Sequence, residues 1–73
     1  MTGPQKRLLI HLYANQNTQH VSTHDIRPAK ALDNMNLIVF FDGSYTAQIL
    51  AAGVLYVREN FPAEAATLLE GDK

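Results

Sequence analysis

The spacing of apolar residues changes period between Leu37 and Asn60, and that change sets out the chain's elements. Leu37–Phe41 is an unbroken apolar run rich in β-branched and aromatic side chains, which predicts a short buried strand. Asp42-Gly43 follows, a pair that tolerates the positive φ of a tight turn, so a hairpin is expected here. Tyr45–Ile49 then alternates, with Tyr45, Ala47 and Ile49 on one face and Thr46 and Gln48 on the other. From Leu50 the repeat lengthens: Leu50, Gly53, Val54, Val57 and Phe61 form one helical stripe.

The flanking segments read as helices. Across Gln5–Gln16, Leu8, Leu9, Ile10, Leu12 and Tyr13 share a broad arc, with Arg7, His11 and Asn15 opposite. A strand over Arg7–Tyr13 competes, but the clean amphipathic split favours a helix. Pro4 suits its first turn, where a missing N–H has no intrahelical partner. A polar linker, Asn15–Gln19, leads to a short extended piece at His20-Val21. Ser22 or Thr23 can cap a turn around Thr23–Ile26, and Pro28 predicts a kink before a helix from Pro28 to Met35. Ala31, Leu32 and Met35 are that helix's apolar side. Pro62 and Gly71 bracket a terminal helix over residues 62–70, with Ala65, Leu68 and Leu69 as its apolar patch. A helix this short must dock to be stable.

At 73 residues the chain has room for a single small core, and self-association is a common way to enlarge one. There is no cysteine, which excludes disulfide or thiolate-metal bracing and fits a cytoplasmic setting. No apolar run approaches the roughly 20 residues that span a bilayer, and the N-terminus lacks the pattern of a signal peptide, so no membrane is expected. The net charge of −1 hides an asymmetry. Lys6, Arg7, Arg27 and Lys30 against Asp25 and Asp33 leave residues 1–36 at +2. Arg58 and Lys73 against Asp42, Glu59, Glu64, Glu70 and Asp72 leave the remainder at −3. An anionic partner would therefore meet the first half.

Helix, short extended segment, helical turn, helix, hairpin, helix: this order resembles the winged helix-turn-helix domains. The resemblance is sharpest over Asp42–Asn60, where Ile49–Val57 is similar to the family's passage from the second wing strand into a helix. There Gly53 would let the helix sit close to its neighbour while Val54 and Val57 enter the core. The resemblance implies an α+β fold, with three to five short helices and one two-stranded hairpin. In it the first helix and Leu50–Asn60 would sandwich the 28–35 helix against the hairpin. It also implies a transcriptional regulator that binds duplex DNA through a short recognition helix and wing, as a homodimer.

Candidate residues follow from that frame. Arg27, Lys30, Asn34 and Asn36 form the best cluster for DNA contact, since Arg and Lys neutralise phosphates or reach guanine edges and Asn can read adenine. The bland alternative is a solvated helix face whose charge Asp25 and Asp33 partly cancel. Lys6 and Arg7 could add backbone contacts, and Ser44 and Tyr45 stand at the wing tip. His20 and His24 are spaced for a helical metal pair, with His11 and Asp25 nearby, but capping or surface roles are favoured and no cofactor is expected. His24-Asp25 near Ser22 lacks the nucleophile-elbow pattern of a hydrolase, and no enzyme is expected. Leu55, Tyr56, Phe61, Leu68 and Leu69 exceed what one core stripe needs. They could cover the core edge, or form a dimer or protein-partner surface. The second functional reading is accordingly a small protein-binding module that modulates a host complex without reading DNA.

Overall fold

The computed structural model describes the backbone of residues 1–71 and the side chains of residues 1–67. Its elements are α1 (Gly3–Ala14), β1 (Gln19–His20), a 3-10 turn (Thr23–Asp25), α2 (Ile26–Asn34), β2 (Ile38–Phe41), β3 (Thr46–Ile49), α3 (Ala51–Asn60) and α4 (Pro62–Gly71). The architecture is α+β: four α-helices and a three-stranded antiparallel sheet in the order β1-β3-β2. The expected two-stranded hairpin is therefore incomplete. β1 adds a third strand, with Gln19 opposite Ala47 and His20 opposite Thr46, extended by the Val21 N–H donating to the Tyr45 carbonyl at 2.7 Å.

Residues 7–13 are helical, not a strand. Thr2 caps α1 reciprocally: its hydroxyl accepts from the Gln5 N–H while the Gln5 side chain accepts from the Thr2 N–H. Leu8, Leu9, Leu12 and Tyr13 are buried along one side of α1, which packs against α2, β3, α3 and α4. That centrality corrects the expected sandwich. The middle of the molecule is α1, with α2 packed on α1 and β2, and α3 on α1 and α4.

Pro28 does not kink α2. The helix starts at Ile26, so Pro28 lies in the first turn, where no intrahelical hydrogen bond is lost. Ser22 precedes the 3-10 turn, but its hydroxyl bonds the Asp25 carboxylate at 3.3 Å and caps no backbone N–H. Ala29 and Leu32 are the buried side of α2, whereas Met35 is exposed. The end of α2 is a Schellman closure: Asn36 N–H donates to the Asp33 carbonyl, Leu37 N–H donates to the Leu32 carbonyl, and Asn36 holds φ 61°.

The hairpin pairs Phe41 with Thr46 and is closed by a four-residue loop, not a two-residue Asp-Gly turn. The positive φ falls on Tyr45, at 51°, and on no glycine. Tyr45 thus drops out of the alternation that Ala47 and Ile49 continue into the core. β2 is buried only at its start; Ile38 is inside, as is Leu37 just before it, Val39 and Phe40 are half-buried, and Phe41 is exposed. Gly53 is where the winged-helix resemblance implies a close approach. A Cβ there would fall on the Leu37 carbonyl oxygen and within 2.7 Å of the Ile49 side chain, so α3 runs directly against the residue that leads into β2. Val57 is fully buried, Val54 half-buried and Leu50 largely exposed, which narrows the expected stripe.

Candidate nucleic-acid interface

The outward side of α2 is set by what its other side must bury. Ala29 and Leu32 point into the core, so Arg27, Lys30 and Asn34, three and seven positions along, share the opposite face and are all exposed. The two acidic residues nearby are both engaged. Asp33 accepts from the Phe40 N–H at 3.1 Å, tying α2 to the outer strand, and Asp25 accepts from the Ser22 hydroxyl. Asp33 is half-buried, whereas Arg27 and Lys30 face solvent.

The face continues onto α1. Arg7, Leu8 and His11 border a depression with Asp25, and Thr2, Pro4 and Gln5 border another with His24, Arg27 and Pro28. Arg7, His11, His24 and Arg27 therefore flank the junction of the first two helices, with the Asp25 carboxylate among them, while Lys30 is exposed further along the outward face of α2. The residues weighed for metal and set aside were His20 and His24, with His11 and Asp25 nearby. Among the described residues no three His, Asp or Glu side chains converge as a metal group. Each depression sets an imidazole beside a guanidinium, His11 with Arg7 four positions earlier and His24 with Arg27 three positions later, and the packing of the first two helices adds Asp25 to the first of them.

Other sequence-selected residues lie elsewhere. Lys6 turns toward α4, with its ammonium 3.0 Å from a Glu64 carboxylate oxygen and 4.8 Å from the centre of the Phe61 ring. Asn36 is the left-handed residue that ends α2, a backbone role sufficient to explain its type. Ser44 and Tyr45 are exposed on the hairpin loop, where the Ser44 hydroxyl lies 2.7 Å from that of Thr46.

Of the apolar candidates, Leu55 is 55% exposed. Tyr56 and Phe61 are partly buried against the core and meet edge-to-face, with ring centres 6.0 Å apart. The side chains of Leu68 and Leu69 lie outside the described residues. No helix among the described residues is long and apolar enough to cross a membrane. No family model, curated protein or solved structure matches this chain.

Proposed function

We propose that this protein is a small regulator that binds duplex DNA, using a winged helix-turn-helix-like frame and the joint surface of α1 and α2. The observation that carries the reading is the outward face of α2. Arg27, Lys30 and Asn34 are aligned and exposed there, and Asp33, next to them in sequence, spends its carboxylate on the Phe40 N–H. Phosphate contacts from Arg and Lys position such a helix, and an Asn at the same face can discriminate a base edge. Arg7 on α1 would add a phosphate contact beside it. The element order of helix, short strand, turn, helix, hairpin and helix is the one the winged-helix resemblance implies. Transcriptional control through a symmetric site read by two copies is the corresponding role.

The test is a titration of labelled duplex DNA by fluorescence anisotropy across a salt series. Three cations on phosphates give a log–log slope of affinity against salt of about −2.7, at about −0.9 for each phosphate neutralised. Lys30→Ala should make that slope shallower by about 0.9. Asn34→Ala should leave the slope alone and flatten preference among sequences. Absence of binding to mixed or selected duplexes in low salt ends the proposal.

A further inference from the structure

A trough of about 550 Å³ runs along α3, remote in sequence from the α1/α2 face, and it has no role in the DNA reading. One side is a face of α3 made by Ala51, Val54, Leu55 and Arg58 together with Leu50, and the other is made by Gln16, Gln48 and Ile49. Leu50 and Leu55 are 39% and 55% exposed, so the trough has aliphatic side chains that the core does not use.

Its far wall is fixed. The Gln48 amide donates to the Gln16 carbonyl at 3.2 Å and accepts from the Thr18 hydroxyl at 3.3 Å, which pins the polar linker to β3. Arg58 is also positioned: its Nε donates to the Tyr13 hydroxyl at 3.4 Å, which leaves the two terminal nitrogens of the guanidinium for another acceptor. Among the described residues, Arg58 is the trough's single charged lining residue. Glu59, next in the chain, is turned by about 100° around the helix and does not line it. The start of α3 adds the same sign, because Leu50 offers no side-chain cap and the first turn holds no acid.

From this arrangement we infer that the trough docks a peptide segment of a partner protein carrying paired aliphatic side chains next to a carboxylate. The aliphatic groups seat on Leu50, Val54 and Leu55, and the carboxylate pairs with Arg58. Charge complementarity chooses the acidic partner. The shape chooses a peptide over a small molecule, because small ligands are held where most of their surface can be enclosed and this trough is open to solvent. Bound there, a partner leaves Arg27, Lys30 and Asn34 uncovered, so the protein could join an acidic segment to DNA.

The probes are short fluorescein-labelled peptides in which leucine pairs are flanked by glutamate, by glutamine or by lysine. Anisotropy should rank them glutamate, glutamine, lysine, and amide chemical-shift changes should centre on Gln48, Leu50, Ala51, Val54 and Leu55. Arg58→Gln should weaken the glutamate peptide by roughly tenfold, as removal of a charged hydrogen-bond partner does, with Arg58→Lys recovering part of the loss. Leu55→Lys, at an exposed position that leaves folding intact, should abolish binding of all three. Lys30→Ala should leave peptide affinity unchanged, whatever it does to DNA, so the two proposals fail separately. Equal affinity for the three peptides, shifts centred on another surface, or no binding of the glutamate peptide overturns the inference. Self-association that Leu55→Lys abolishes, with no peptide bound, would place a second copy in the trough and also overturn it.

Discussion

Asn36 stands at φ 61°, at the point where α2 must close and the chain must turn into β2. Asparagine tolerates that conformation because its short polar side chain compensates locally, glycine tolerates it freely, and a β-branched residue does not. Asn36→Gly should therefore stay within about 0.5 kcal/mol of the parent in urea unfolding, while Asn36→Val should lose about 1–3 kcal/mol. The glycine variant also separates backbone from recognition: if DNA affinity survives it, Asn36 shapes the helix end and reads no base. Gly53 is a stricter case. Its added methyl would meet the Leu37 backbone oxygen, which cannot swing away as a side chain can. Gly53→Ala should cost about 3 kcal/mol, the upper part of the range for overpacking, and lower the melting temperature by more than about 10 °C in calorimetry. The place of Gly53 on a helical stripe was legible in the sequence, and a close approach there was what the resemblance implied. That its close neighbour is the backbone carbonyl of Leu37, just before β2, was not legible, since Leu37 lies sixteen residues earlier and only the fold brings it there.

Elements formed by local pattern were readable, and those defined by a distant partner were not. The α1 stripe and the change of period at Leu50 each satisfy themselves within a few turns, so spacing alone marks them. β1 is two residues long and carries no alternation of its own; it is a strand only because Thr46 and Ala47 lie opposite it. Asp42-Gly43 signalled the hairpin correctly but not its closure, because the left-handed residue is Tyr45 and the Val21 N–H draws on the Tyr45 carbonyl. The candidate interface divides in the same way. Arg27, Lys30 and Asn34 could be aligned by helical spacing, whereas the Lys6–Glu64 pair and the Tyr13–Arg58 contact needed the packing of separate helices. Asp33 is the most informative miss. Its sequence position shows a charge, while the structure shows a tether between α2 and the outer strand β2. Asp33→Ala leaves the Phe40 N–H without its partner and should cost about 1–3 kcal/mol. Asp33→Asn keeps an oxygen acceptor and should recover most of that. Amide exchange at Phe40 checks both, with fast exchange in the alanine variant alone.

At the scale of the whole molecule, stability concentrates in α1. Leu9 and Leu12 are fully enclosed, and the helix that carries them meets α2, β3, α3 and α4. A chain of 73 residues has about 4–11 kcal/mol of total stability at the usual density per residue. Leu12→Ala removes aliphatic volume from the centre of that assembly and should cost about 2–5 kcal/mol, a large share of the whole. Because the elements meet through one helix, the loss should not be confined to α1. Far-UV circular dichroism follows the helices, and tyrosine fluorescence follows Tyr13 on α1, Tyr45 on the hairpin loop and Tyr56 on α3. The two signals should give coincident urea transitions in the parent and in Leu12→Ala, with the midpoint displaced and the slope kept, as for a two-state domain. Separate transitions would mean that α3 and α4 retain structure without α1. The α1/α2 face and the α3 trough would then be independent bodies, and losing one would leave the other able to bind. Coincident transitions instead require that any substitution weakening α1 lowers occupancy of DNA and peptide together, in proportion to the folded fraction.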